Sequence, residues 1–311
     1  DKKSKNSLFS SGATSLRLSD IGYQNKSQAH LQVGADKISN YASSLLHATE
    51  LPYSDFEMFP IKDENGEYQQ LSSNLLQIEN EFYSTIRPKA VAQDVYRPAV
   101  ALHKLGVEYL EIRSLDLNPF EPLGLSEKTS AFLDLFLTHL LLQESEFLTN
   151  RSQNQMSYNF KSAVNSGRKV KSKICIKNKN NNSCDSLVSN AKKLLESMRD
   201  LANIMDKSET NSNNIYTKSL QEQLDKVNDL SLLPSNQVIS KWQESGLDFE
   251  DFISKIAQDN SLKFNLADKI KEQYQLDAKE SLLAQTKLEQ DDIKSKMSFE
   301  DFLDKYFEQK L

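Results

Sequence analysis

Two segments of alternating polarity lie in the first 120 residues of this 311-residue chain, and helical patterns dominate its second half. In residues 75–87 and 107–116, apolar and polar side chains alternate, which is typical of strands with one buried face. From residue 187 onward, apolar side chains recur at the spacing of amphipathic helices. Because strands come first and helices follow, the order predicts an α+β fold rather than a wound parallel sheet.

Composition excludes several classes of protein. The chain contains 8 glycines and no glycine-rich phosphate loop, which argues against P-loop and dinucleotide-binding folds. Its net charge of -6 argues against a nucleic-acid partner, which would require a basic face. The longest apolar run, 131–142, includes Asp134 and His139 and is too short to span a bilayer. We therefore expect no membrane partner and a cytoplasmic location.

Pattern changes divide the chain into three predicted regions. Residues 1–148 form the sheet-containing part, and residues 187–311 form a helical C-terminal region. Between them, residues 149–186 are polar and rich in asparagine, and this predicts a mobile insertion or loop. The region contains Cys175 and Cys184, which we expect to be reduced surface thiols because disulfides are rare in the cytosol.

Two helices are predicted with clear boundaries. A strong apolar stripe covers 126–147. Near the C-terminus, Ser298 followed by Asp301 predicts a helix start with an approximate capping box. The apolar residues that follow Ser298 form a stripe that must pack against another part of the protein.

The polar faces of the two strand-like segments carry the candidate chemistry. Glu111 and Arg113 are two residues apart, so they share one face of a strand. The other segment is predicted to place four polar side chains on one face: Glu79, Glu81, Tyr83 and Arg87. Carboxylates suit Mg²⁺ and arginine suits phosphate, so a phosphoryl-transfer site is one interpretation. The other is the solvated face of an ordinary antiparallel sheet.

Three longer segments resemble signature segments of proteobacterial glutamate–cysteine ligases. They are ATSLRLSDIGYQNKSQ at 13–28, SNLLQIENEFYSTIRPK at 73–89 and GVEYLEIRSLDLNPFEPLG at 106–124. The resemblance covers about the first half of the chain. It implies part of a glutamine-synthetase-like antiparallel sheet cup, followed by the helical region. It also implies ATP and Mg²⁺ as cofactors, L-glutamate and L-cysteine as substrates, and the first reaction of glutathione synthesis through a γ-glutamyl phosphate.

The resemblance assigns a role to each matching residue. Glu111 matches a Mg²⁺-binding glutamate, and Arg113 matches an arginine that stabilises the transferring phosphoryl group. Arg87 and Lys89 are expected to bind nucleotide or phosphate. The residues that match the cysteine pocket are Arg17, Tyr23 and Tyr83.

The family enzymes extend further at their N-terminus than this chain does. The expectation is therefore a C-terminal portion that is inactive alone and has a separate N-terminal half as a partner. Two alternatives stay open: a ligase relative that uses another amine, or a non-catalytic remnant that serves as a structural subunit.

Overall fold

The structure is a computed structural model, and the residues it describes form eight ranges. These ranges are 7–22, 25–91, 96–145, 147–178, 181–208, 213–264, 266–295 and 297–311.

The described residues form short strands and many helices. The strands are β1 Ile86–Lys89, β2 Tyr109–Ile112, β3 Lys173–Asn178 and β4 Asn181–Ser186. The helices of the first half are α1 Ile38–Ala48, α2 Ser54–Glu57, α3 Pro98–Leu105, α4 Glu127–Leu141 and α5 Asn150–Ser166. Those of the second half are α6 Leu187–Glu196, α7 Arg199–Ser208, α8 Ile215–Asn228, α9 Pro234–Ser245, α10 Phe249–Ser261, α11 Asp268–Ser295 and α12 Phe299–Phe307.

The α+β class is confirmed, but the strands are shorter than predicted. β1 pairs with β2 in an antiparallel ladder, and β3 pairs with β4 in a second one. The prediction of a strand across 75–87 is wrong, because Glu79–Glu81 forms a 3₁₀ turn. The carboxylate of Glu81 accepts a hydrogen bond from the backbone N–H of Gln77 at 2.7 Å, and this bond stabilises the turn locally.

The chain divides into two compact units. The strand unit comprises Ser27–Arg113 and Leu262–Leu311, and the bundle unit comprises Asp1–Lys26 and Ser114–Ser261. Neither unit is a continuous stretch of sequence. The division into 1–148, 149–186 and 187–311 follows composition, and it stays a prediction.

The core of the strand unit lies between α1 and α3. Tyr41, Ala42, Leu45 and Ala48 are buried on one side of α1, at the spacing of a helix that packs along one face. They pack with Leu76 and with residues of α3. This core holds the segment that leads into β1.

The bundle unit has its own core, built from α4, α6, α7 and α8. The buried side chains are Leu135, Leu195, Met198, Ala202, Tyr216, Leu220 and Leu224. The predicted helix at 126–147 is present as α4, and the hydroxyl of Ser126 caps it by accepting from the N–H of Thr129.

Residues 149–186 form regular structure where composition predicts a loop. Thr149 and Ser152 form a capping box at the start of α5, and the β3–β4 hairpin follows that helix. Because this stretch buries little apolar surface, hydrogen bonds contribute to holding its elements together. For example, the side chain of Asn159 on α5 donates to the carbonyl of Cys175 on β3 at 2.7 Å. The predicted mobility of this stretch stays a prediction.

Cys175 and Cys184 are disulfide-bonded, so the prediction of two reduced thiols is wrong. The hairpin explains the difference, because the register of β3 and β4 places the two cysteines directly opposite each other. Sequence alone does not reveal that two residues nine positions apart are paired across a ladder.

Residues 262–311 belong to the strand unit. Every residue of α11 is exposed, whereas α12 docks as predicted from its apolar stripe. Ser298 and Asp301 form the predicted capping box, and the ring of Phe299 meets that of Tyr68 at 5.3 Å. Among the described helices, none has the length and apolar composition that crossing a bilayer requires.

Candidate functional site

The ladder between β1 and β2 brings together most of the predicted site residues. In its register, Arg87 lies opposite Glu111 and Lys89 lies opposite Tyr109. Residues that face each other across an antiparallel pair project on the same side, as do residues two apart on one strand. Arg87, Lys89, Glu111 and Arg113 therefore share one face of the ladder, which we call the cationic face.

Glu111 is the one carboxylate among the four residues of this face. Its oxygens lie 3.6 Å from Lys89 Nζ and 3.8 Å from Arg113 Nε. The Glu111 side chain is 38% exposed, so these ion pairs are screened by solvent and contribute little to stability. Three cations around one carboxylate leave a net charge of +2 on the face, which favours an anionic ligand.

Tyr83 approaches this face from the preceding turn rather than from a strand. The shared strand face predicted for Tyr83 and Arg87 is therefore wrong. Instead, the guanidinium of Arg113 lies 5.4 Å from the centre of the Tyr83 ring, within the range of a cation–π contact. Tyr83 and Arg113 are thus neighbours in space, a contact that the alternation pattern did not predict.

Gln28 fixes the backbone around Tyr83. Its side-chain amide donates to the carbonyl of Glu81 at 2.8 Å and accepts from the N–H of Tyr83 at 2.9 Å. The two bonds hold both ends of the short Glu81–Tyr83 segment. Sequence analysis missed this role, although Gln28 is the last residue of the 13–28 segment.

Arg87 is held by the same turn. Its guanidinium donates to the carbonyl of Asn80 at 2.9 Å and to that of Phe82. Beneath the face, burial raises the pKa of the Tyr41 phenol, with the charge of Glu111 acting in the same direction and that of Arg87 against it. The charges of Arg87 and Glu111 thus act on the phenol of Tyr41, a residue of the strand unit's core.

Glu79 does not belong to the cationic face, contrary to the alternation pattern. It is buried and forms an ion pair with Arg97, in which Nε and Oε1 are 2.9 Å apart. Arg97 also donates to the hydroxyl of Thr49 at 2.9 Å. Removing one partner of a buried ion pair typically costs about 3–5 kcal/mol. No local pattern in the sequence links Arg97 to Glu79, so the ion pair cannot be predicted from the sequence.

The other residues predicted for the cysteine pocket are Arg17 and Tyr23. Arg17 belongs to the bundle unit, where its Nε lies 3.2 Å from a carboxylate oxygen of Asp116 and its terminal nitrogen 3.5 Å from the carbonyl of Leu115. Tyr23 lies outside the described residues.

The chemistry of the face fits phosphate better than a protein-only metal site. Among the described residues, no group of three or more histidines, cysteines or carboxylates converges on a point that could hold a metal. Mg²⁺ sites on nucleotides usually take one or two protein carboxylates and complete their shell with phosphate oxygens and water. Glu111 fits that limited role, and Arg87, Lys89 and Arg113 fit the phosphate oxygens.

Comparison with known proteins finds the same family that the three sequence segments resemble. Residues 1–163 match the family model described as glutamate-cysteine ligase. A glutamate–cysteine ligase of Alcanivorax borkumensis is 37% identical over 308 residues, covering 97% of this chain and 57% of the relative. One from Pseudomonas fluorescens is 37% identical over 290 residues, covering 92% of this chain and 53% of the relative.

A solved structure agrees with these matches. The crystal structure of the glutamate–cysteine ligase of Francisella tularensis in complex with AMP superposes with a TM-score of 0.83 at 30% identity. The match covers 96% of this chain and 57% of that one. The chain thus spans about half the length of the relatives it matches.

Proposed function

Because the chain belongs to the glutamate–cysteine ligase family, we propose that it forms part of an enzyme joining the γ-carboxylate of L-glutamate to the amine of L-cysteine, using ATP. This reaction is the first step of glutathione synthesis. The observation that carries the proposal is the cationic face, where three cations and one carboxylate share one side of two paired strands and two of the cations lie within 4 Å of the carboxylate.

The reaction has two steps with balanced bonds. A γ-carboxylate oxygen of glutamate attacks the γ-phosphorus of ATP, and ADP leaves with the electrons of the broken P–O bond. The amine of cysteine then attacks the carbonyl carbon of the γ-glutamyl phosphate. Phosphate leaves, and the new amide loses the amine proton to water or a base.

The proposed roles on the cationic face follow from charge. Arg87 and Lys89 bind phosphate oxygens of the nucleotide, and Arg113 stabilises the charge that develops on the transferring phosphoryl group. Glu111 provides one carboxylate to a nucleotide-bound Mg²⁺, which supplies further charge neutralisation when bound. The pairs of Glu111 with Lys89 and Arg113 orient the carboxylate.

The cysteine substrate is assigned to Tyr83, Tyr23 and Arg17. Tyr83 supports this assignment through its contact with Arg113, which places its phenol beside the group assigned to phosphoryl transfer. Arg17 is a cation suited to a substrate carboxylate. Its present partner is the carboxylate of Asp116, which the carboxylate of a ligand could replace. A cytoplasmic location is part of the proposal, and a separate N-terminal half is the proposed partner.

The test is a chimera in which this chain replaces the matching segment of the Alcanivorax borkumensis relative. The purified chimera is given glutamate, cysteine and Mg·ATP, and γ-glutamylcysteine is quantified. We expect product at a rate well above that of the same chimera carrying Arg113→Ala. A folded chimera without product, beside an active parent enzyme, would contradict the proposal and favour a non-catalytic subunit. Product with a different amine in place of cysteine would favour a related ligase.

A further inference from the structure

The ion pair between Glu79 and Arg97 is a feature that the proposed reaction does not use. The Arg97 side chain is 6% exposed and that of Glu79 is fully buried. Among the described residues, nothing donates a hydrogen bond to the second oxygen of Glu79. Arg97 is therefore the charged group that holds the carboxylate of Glu79 in position.

Glu79 is the first residue of the turn that holds the side chain of Arg87 and leads into Tyr83. Within the turn, the N–H of Phe82 donates to the carbonyl of Glu79 at 3.2 Å. The turn then offers the carbonyls of Asn80 and Phe82 to the guanidinium of Arg87. A displacement of Glu79 moves the carbonyls that hold Arg87, and it moves the chain entering Tyr83.

The C-terminal segment encloses Arg97 on its other side. The side chain of Gln309 accepts from the N–H of Arg97 at 3.0 Å. The rings of Phe307 and Tyr306 lie 5.3 Å and 5.9 Å from the Arg97 guanidinium carbon. These contacts cover the ion pair and hold the Arg97 side chain, which in turn holds Glu79.

We propose that Arg97 is a positioning residue for Tyr83 and Arg87, acting through Glu79, and that docking of α12 holds Arg97 in place for this role. In the described part of the chain, the contacts of Arg97 are with Glu79, Thr49 and the C-terminal segment, not with Tyr83 or Arg87. Its effect is to order the turn that holds Arg87 and precedes Tyr83. The inference depends on the proposed function for its kinetic consequence but not for its structural one.

The structural readout is hydrogen exchange of the 311-residue chain. Arg97→Lys keeps the charge but cannot reach both Glu79 and Thr49 in the same way, and Gln309→Ala removes one contact from the C-terminal segment. We expect the amides of Phe82 and Tyr83 to exchange on the order of tenfold faster in both variants. Lys271→Ala is the matched control, since it breaks an exposed ion pair with Asp268 on α11, in the same unit, without touching Arg97 or α12.

A neutral pair guards against a variant that fails to fold. Glu79→Gln combined with Arg97→Gln removes both charges together, so that no buried charge stays unpaired. Unchanged exchange at Phe82 and Tyr83 in all of the Arg97, Glu79 and Gln309 variants, or equal acceleration by Lys271→Ala, would overturn the inference.

The kinetic readout uses the chimera described above. Arg97→Lys should raise KM for cysteine and for ATP on the order of tenfold while kcat changes less than about threefold, because binding groups are misplaced rather than removed. Arg97→Ala should raise both KM values further, so that lysine rescues part of the effect. Faster exchange with unaltered KM values would show that Arg97 is merely structural. An inactive parent chimera would count against the proposed function, and hydrogen exchange would still decide the role of Arg97.

Discussion

Glu111 owes its neighbours on the cationic face to one local relation and one long-range relation. Its shared face with Arg113 follows from a spacing of two on a strand, a local rule. Its position opposite Arg87 depends on the register of two strands separated by α3, which no local pattern specifies. The predicted position of Glu79 is wrong for the same reason. Its partner Arg97 lies 18 residues away, and their ion pair is buried although the alternation pattern places Glu79 on the polar face.

Replacing Glu111 by glutamine tests its assignment as a metal ligand. The change keeps the shape but removes the charge, so kcat of the chimera should fall by at least about 100-fold, because metal-borne charge stabilisation is worth several kcal/mol. Glu108→Gln, three residues earlier in the same segment, is the control and should leave kcat nearly intact. Turnover near that of the parent at saturating Mg²⁺ would rule out the assignment.

Tyr83→Phe tests the cysteine pocket. The ring and its contact with Arg113 are retained, and only the hydroxyl is lost. KM for cysteine should rise several-fold, on the order of one lost hydrogen bond, while KM for ATP stays nearly constant. A defect confined to ATP would place Tyr83 in the nucleotide site instead.

Tyr306 gives a prediction about alkaline pH. Burial, with a smaller contribution from the charge of Glu79, raises the pKa of its phenol to about 12, against the effect of Arg97. The folded protein therefore retains a proton that the unfolded chain loses near pH 10. This contribution to stability is complete below pH 10 and is lost as pH rises toward 12. Urea unfolding at pH 9 and pH 11 should show a larger decrease for the parent than for Tyr306→Phe.

At the scale of elements, local rules predicted well and composition predicted poorly. The helices α4 and α12 follow from a cap and an apolar stripe, both contained within a dozen residues. Residues 149–186 were predicted as a loop because they bury little apolar surface. Their order comes from polar contacts with distant segments, such as the bond from the N–H of Thr14 to the carbonyl of Val164 at 2.7 Å.

Arg168, just after α5, tests whether this polar region is a structural support. It is buried and donates to the carbonyls of Ser10 and Ser235 and to the side chain of Asn236. Arg168→Met should lower the free energy of unfolding by about 2–4 kcal/mol, as these charged hydrogen bonds are lost. The neighbouring Lys169→Met is the control for urea denaturation. Equal stabilities would mean that the contacts of Arg168 contribute nothing measurable.

At the scale of the whole molecule, the family was recognisable from three segments, yet their division between two units was not. Residues 13–28 straddle the boundary between the units, and residues 106–124 cross it at Arg113. Contiguous motifs do not reveal such a crossing, because the separate stretches of each unit are joined by contacts between distant residues, such as Thr14 with Val164 and Arg97 with Gln309, 150 and 212 positions apart.

The isolated chain is predicted to make no γ-glutamylcysteine. It spans about half the length of its relatives, and its cationic face has one carboxylate with which to hold a metal–nucleotide complex. ATP should then raise its melting temperature little, since stabilisation scales with affinity for the folded state. The assay compares the chain alone with a mixture containing the unmatched N-terminal segment of the Alcanivorax borkumensis relative. Product from the chain alone would contradict the prediction, and product from the mixture only would support a two-part enzyme.

The return of residues 262–311 to the strand unit has a consequence for biosynthesis. Translation at roughly 5–20 residues per second delivers these residues about ten seconds or more after Arg113. During that interval the strand unit lacks the helix that encloses Arg97, so its buried charges face solvent or a chaperone while the bundle unit is being made. Loss of residues 299–309 would remove Tyr306, Phe307 and Gln309 together and leave Arg97 uncovered. A deletion at one end of the strand unit's sequence would thus expose a charged residue that lies about 200 positions earlier in the chain.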